Sequence, residues 1–346
     1  MQKSSLLAAT AAISALVLTG CSSGGSQAAN STLACVILPD AASSPRWEAL
    51  DRPALSAGLA AAGFESDIQN AQGDVNKYAT IADQQLSKGC GVMLLIDHNG
   101  AGIAVAAKAR SQGIPVIAYD RPIAGADYYV SFDNEKVGEL EGQSIVDGLK
   151  AAGKDPAKAV VVYMGGDPAD GNAKMFHDGA VRVMSAAGIT PAQEPPGVWD
   201  SNKSATNFEQ ALTALGGKVD AVWAANDTNA AGVITVLDKN HLKIPVSGQD
   251  ASIAGLQNVL LGKQAATVWK HVQTEAAAAV ATAISLLKGE TPTAEQKLPD
   301  GTPYISVVPV LVGPEEVKDV VQSGDATASD LCTADVAAAC AKHGVS

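Results

Sequence analysis

The chain has 346 residues, 47% of them hydrophobic and 4% aromatic, and a formal net charge of -12. That length suits two domains, and the apolar share excludes a disordered or fibrous chain. The acidity argues against nucleic acid or an anionic membrane surface as a partner; solubility is explanation enough.

In chain order, the first signal is a leader. Lys3 precedes an apolar run from Leu6 to Leu18 that is short for a bilayer span. It ends in Leu18-Thr19-Gly20-Cys21, a run that resembles the lipobox of bacterial lipoproteins. The expectation is a signal peptide over 1–20, lipidation of Cys21 and a flexible Ser/Gly-rich tether over 21–31. Gly20-Cys21-Ser22-Ser23-Gly24 has the spacing of a nucleophile elbow, but it follows no strand and opens no helix.

Strand and helix signals then alternate. Strands are predicted at 33–38, 64–68, 91–96, 115–119 and 128–131, and helices at 47–62, 75–87 and 101–112. A second round follows, with strands at 159–164, 221–224, 246–248, 266–269 and 304–308. Its helices are predicted at 135–149, 173–187, 204–215, 229–240, 254–261, 274–287 and 315–321. Alternation of this kind specifies parallel sheets covered by helices. The fold class is therefore α/β, with two doubly wound Rossmann-like lobes. The later elements must complete both lobes, so several crossovers join them as hinges. The expected division is 32–132 plus about 270–295 for the first lobe and 133–269 plus about 296–325 for the second, with a C-terminal extension over 326–346.

Four cysteines remain after Cys21. An even number outside the cytoplasm suggests disulfides. Cys332 and Cys340 are near in sequence and are expected to pair. Cys35 and Cys90 belong to strands that neighbour each other in a 2-1-3-4-5 sheet, and whether they are bonded stays open.

One unit occurs twice. Gly91–Asp120 aligns without a gap on Ala221–Asp250, with 9 identities in 30. Both copies end in Ile-Pro-Val followed by a terminal Asp, at Asp120 and Asp250. Ligands of open α/β sheets bind at the carboxyl ends of the strands, and polar residues gather there in this chain. They include Arg46 near Trp47, Asp120-Arg121, Asn172, Asn226, Asp250 and Lys270, with Trp199 in a further loop. Aspartate accepts paired hydroxyls, arginine donates in a fork, and an indole covers the apolar face of a pyranose. A neutral sugar satisfies such a set. Any single member also has a plain structural reading: Asp133 and Asp227 as helix caps, Arg121 as a solvated turn residue. The histidines at 98, 177, 241, 271 and 343 show no metal spacing, and no complete P-loop occurs. No cofactor is expected.

Tyr119-Asp120-Arg121, the run Ser131 to Leu140, Met164-Gly165-Gly166, Asp170-Gly171-Asn172-Ala173-Lys174, Ala225-Asn226-Asp227, Ser247-Gly248-Gln249-Asp250 and Thr267-Val268-Trp269-Lys270 carry a family resemblance. Over about 33–321 the chain resembles the ribose/galactose type of periplasmic sugar-binding proteins of ABC importers, and within it the xylose-binding branch. The resemblance implies that Arg46, Asp120 and Arg121 hold sugar hydroxyls from the first lobe. Asn172, Asn226, Asp250 and Lys270 would hold them from the second lobe and hinge, with Trp199 stacking. The chain departs from the pattern at Gly171, where Asn is expected, at Asp97-His98 and at Ser43-Ser44-Pro45.

The expectation is thus a monomeric, non-enzymatic, lipid-anchored binding protein on the extracytoplasmic face of the membrane. It would capture a xylose-like pentose or aldose and deliver it to an ABC importer permease by closing its lobes. The alternatives are the same fold as a sensor for a receptor kinase or chemoreceptor, and a secreted sugar-active enzyme.

Overall fold

The computed structural model describes residues 31–345; the signal peptide, Cys21 and nearly all of the tether lie outside them. β1 (Leu33–Leu38) leads through a π turn at Trp47–Asp51 into α1 (Arg52–Ala61). There follow β2 (Glu65–Asn70), α2 (Val75–Lys88), β3 (Val92–Leu95), α3 (Ala101–Ser111), β4 (Val116–Tyr119) and β5 (Tyr128–Phe132). The second round is α4 (Asn134–Ala151), β6 (Val161–Met164), α5 (Gly171–Ala186), β7 (Pro191–Gln193), α6 (Ser201–Ala214), β8 (Ala221–Ala224), α7 (Asp227–Lys239), α8 (Ile253–Leu260) and β9 (Thr267–Trp269). Then come α9 (Val272–Leu287), β10 (Gln296–Lys297), β11 (Pro303–Val307), β12 (Val310–Val312), α10 (Val317–Ser323), α11 (Ala328–Leu331) and α12 (Ala337–Lys342).

The first lobe is a seven-stranded sheet in the order β10-β11-β5-β4-β3-β1-β2, parallel except for β10. Successive residues of β1 feed opposite faces. Cys35 and Ile37 enter the core under α2 and α3, and Ala34, Val36 and Leu38 enter the core under α1 and α9. A sheet buried on both faces needs continuous apolar strands, and the short runs of the sequence supply them. In the second lobe β7-β6-β8 is continued by bridges from Val222 to Val246 and from Gln249 to Val268, and β12 closes the edge antiparallel to β9.

Three expectations need correction. Residues 296–307 belong to the first lobe, because β11 pairs parallel with β5 from Tyr304↔Tyr129 to Val307↔Phe132. The chain therefore crosses between lobes three times, after β5, β9 and β11. The strand expected at 246–248 makes only isolated bridges. There the Ser247 hydroxyl takes the Ala224 N–H at 2.8 Å, a place a backbone carbonyl would fill in a regular ladder. Asp227 does not cap α7. Asn226 does, its Oδ1 accepting the Asn229 N–H at 2.8 Å. The buried Asp227 carboxylate instead accepts from Ser252, Gln264 and Thr267 and ties α7 to the loop after Asp250. Asp133 is a cap, for α4.

α4 and α5 cross almost backbone to backbone. A Cβ at Gly138 would lie 1.9 Å from the Phe176 carbonyl oxygen, and one at Gly179 would lie 2.1 Å from that of Glu135. Only glycine permits this approach, and it fixes where the start of α5 meets the first lobe. Cys35 and Cys90 are disulfide-bonded, as are Cys332 and Cys340. Among the described residues no helix is long and apolar enough to cross a membrane.

Candidate functional site

The ends of the repeat share an uncommon backbone. Asp120 has φ 61° and Asp250 φ 97°, the left-handed region. Such residues cost on the order of 1–3 kcal/mol and persist where the surroundings hold them. At Asp120 the hold is visible: its carbonyl oxygen accepts from Tyr129 Oη at 2.9 Å, Ser131 Oγ at 2.8 Å and Asn172 Nδ2 at 2.7 Å. Both turns leave the strand abruptly at the interlobe cavity, which both aspartates line.

The π turn does a related job at the start of α1. Its i→i+5 bond, Arg52 N–H to the Trp47 carbonyl, marks a turn that widens the helix, so residues five apart stack. Arg46 and Asp51 are five apart. Arg46 donates to Asp51 through Nε at 2.9 Å and Nη2 at 2.7 Å, and through Nη1 to Asp120 at 3.0 Å. Arg46 Nη2 also meets Glu275 of α9, and Tyr119 Oη donates to Asp51 at 2.6 Å.

All eight residues singled out in the sequence, Arg46, Asp120, Arg121, Asn172, Trp199, Asn226, Asp250 and Lys270, line one cavity between the lobes. Its cations and carboxylates are matched: Arg46 with Asp120 at 3.0 Å, Arg121 with Asp170 at 3.1 Å, and Lys270 with Asp250 at 3.0 Å. Each of these three contacts joins one cation to one carboxylate, and Arg46 is shared in addition with Asp51 and Glu275 behind the cavity. Buried charges survive only when paired, and the ionisations follow from that pairing. Burial lifts the Asp120 carboxyl, but Arg46, Lys270 and Arg121 outweigh it and hold it below the usual range. Burial lowers Lys270, but Asp250 and Asp120 more than reverse this. For Asp170, burial outweighs Arg121 and its carboxyl ends raised.

The aromatic groups back the cations. The Arg46 guanidinium lies 4.8 Å from the Trp47 ring centre and Arg121 lies 5.5 Å from it. Lys270 Nζ stands 6.0 Å from Phe132 and 5.7 Å from Phe176. Trp199 donates through Nε1 to Asp170 at 3.2 Å and lies against Gly166.

Two expected ligand residues are engaged within the protein. Asn172 Oδ1 accepts from Asn134 Nδ2 at 3.0 Å and lies 2.8 Å from Tyr129 Oη, while its Nδ2 donates to the Asp120 carbonyl. Asn226 spends its oxygen on the cap of α7. The sequence reading missed Asp170, Asp51 and Glu275. Asp170 had a signal, since it precedes Asn172 in the same loop. Glu275 had a fainter one, as the only acid of the otherwise apolar and Ala-rich α9.

The cavity measures about 30 Å³, room for about two waters at ~10–15 Å³ each. A wider groove of about 1170 Å³ opens outside it between the lobes. Ser43, Arg121, Asp170 and Trp199 border both spaces.

Two lobes of like topology, three crossovers and a polar cavity at the facing strand ends define a two-lobed solute-binding protein of the type I architecture. The profile of the periplasmic binding protein domain matches residues 35–291, and the chain belongs to that family. The D-xylose-binding periplasmic protein of Escherichia coli K12 is 33% identical over 290 residues, covering 80% of this chain and 85% of that protein. Its Haemophilus influenzae counterpart of the same name is 35% identical over 289 residues, with 80% and 85% covered. The crystal structure of an ABC transporter solute-binding protein from Clostridium phytofermentans with bound β-D-glucose superposes with a TM-score of 0.78 at 28% identity, covering 86% of this chain and 99% of that one.

Proposed function

We propose that the chain is an extracytoplasmic binding protein, lipid-anchored through Cys21, that captures a neutral monosaccharide and presents it to an ABC importer. A xylose-like pentose or a related aldose is the leading ligand. The observation that carries this reading is the set of three cation–carboxylate pairs at the facing strand ends of two lobes. A polyol offers hydroxyls that accept from the cations and donate to the carboxylates, so it replaces the paired bonds without adding charge. A sugar acid or amino sugar would leave one charge uncompensated. Matched donors and acceptors suit exchange with sugar hydroxyls, which favours binding over turnover. A ligand enters when the lobes part, and contacts from both lobes then favour closure.

Thermal shift and calorimetry with D-xylose, D-glucose, D-ribose, D-galactose and L-arabinose test the reading. A ligand at 100 times its Kd adds about 2.7 kcal/mol of stability. If no sugar of the panel raises the melting temperature, the reading is lost. Cys21→Ala should move the chain from the membrane fraction to the soluble one.

A further inference from the structure

Two tripeptides face each other across the cleft beside the cavity. Asp120-Arg121-Pro122 ends β4 of the first lobe, and Asp170-Gly171-Asn172 opens α5 of the second. Each residue of one meets a residue of the other. Asn172 Nδ2 donates to the Asp120 carbonyl at 2.7 Å. Arg121 Nε and Asp170 Oδ2 form an ion pair at 3.1 Å, both side chains 9% exposed. Between these contacts Gly171 sits so close to the proline that a Cβ on it would lie 2.6 Å from Pro122 Cγ and 3.4 Å from Cδ. The ion pair also borders both the closed cavity and the outer groove, so it forms part of the wall between them.

We propose that this tripeptide-on-tripeptide contact is the latch that holds the two lobes closed, and that Gly171 is the residue that sets how far they close. Its φ lies outside the left-handed region, so the backbone at 171 imposes no left-handed strain on a side chain. The position is also the first of α5, where alanine is a better helix former than glycine. Neither local conformation nor helix propensity therefore requires glycine. Only the approach of the opposite lobe does. A side chain at 171 pushes Pro122 away and draws Arg121 from Asp170. It thereby lowers the population of the closed state, and a ligand's apparent affinity falls with that population. Arg121 is held on its own lobe by the Asp97 carbonyl at 3.0 Å and Ser43 Oγ at 3.1 Å, so it does not simply follow Asp170. That the latch retains a sugar rests on the function proposed above; the latch itself does not.

The test is Gly171→Ala and Gly171→Val in the full chain, each alone and combined with Pro122→Ala. Pro122→Ala removes the Cγ and Cδ atoms that a side chain at 171 would meet and leaves Pro122 Cβ, 4.0 Å from the added Cβ, as alanine's own. Small-angle scattering of the ligand-free protein should show a larger radius of gyration for the Gly171 variants and its return in the double variants. D-xylose, or whichever panel sugar binds, should dissociate on the order of tenfold faster from Gly171→Ala, with recovery in the double variant. Unchanged dimensions in Gly171→Val, or failure of Pro122→Ala to restore them, overturns the proposal. If the expansion and its rescue appear while no sugar binds, the latch stands and the sugar reading falls. If sugar binds parent and Gly171→Ala alike with unchanged release, the latch falls and the sugar reading stands.

Discussion

Asp120 and Asp250 occupy corresponding ends of a duplicated unit, and both carry left-handed backbones. Their surroundings are not duplicated. Asp120 faces Arg46, while Asp250 faces Lys270 and lies 3.4 Å from Ser44 Oγ of the opposite lobe. Asp250→Ala removes an acceptor and strands Lys270, 7% exposed, without its counter-ion. The expected loss of sugar affinity is about 2–4 kcal/mol, read by calorimetry; unchanged affinity would place the ligand elsewhere. Behind this shell Glu275 is fully buried against Arg46, and burial pushes its carboxyl up to about 8 even though Arg46 opposes the rise. The folded state therefore keeps a proton that the unfolded chain gives up in the ordinary carboxyl range. Stability should fall as pH rises from that range to about 8 and level off above it. Glu275→Gln should flatten this slope in urea midpoints taken from pH 5 to pH 9. An unaltered slope would show that another group carries it.

At the scale of elements, most strands and helices were legible because their apolar runs and caps are local. α2 begins at the cap of Asp74 and ends at left-handed Gly89, both readable in sequence. β7, β10 and β12 were not legible, being two or three residues long; β7 and β12 pair with strands tens of residues away, and β10 has only two paired residues in its turn with β11. The same cause misplaced residues 296–307: pairing with β5 decides their lobe, and no local pattern states it. The two disulfides also act at this scale. Cys35–Cys90 spans 55 residues and Cys332–Cys340 spans 8. Loop-closure entropy gives about 4 kcal/mol for the first and about 2–3 kcal/mol for the second. Replacing Cys90 by Ala should thus cost more in a urea titration than replacing Cys340 by Ala. The reverse order would mean that the C-terminal helices, whose core includes Leu331, Val336 and Cys340, depend on their staple more than entropy alone predicts.

Over the whole molecule, the crossovers after β5, β9 and β11 set one lobe against the other, with a small cavity between them. The sequence by itself determined the alternation of strands and helices, the duplicated unit and the seven polar strand-end positions with Trp199 beside them. Periodicity, capping and strand-end chemistry are encoded within a few residues of one another. The tertiary structure alone decided which cation pairs with which carboxylate, that Asn172 spends its amide on the first lobe, and that Asp51 and Glu275 stand behind Arg46. It also decided the lobe of β11 and the meeting of Pro122 with Gly171. Apart from Arg46 and Asp51, which are five positions apart, those choices join residues tens to hundreds of positions apart. Only the packing of complete lobes, through low-dielectric pairing and hard-sphere contact, makes one arrangement better than the rest.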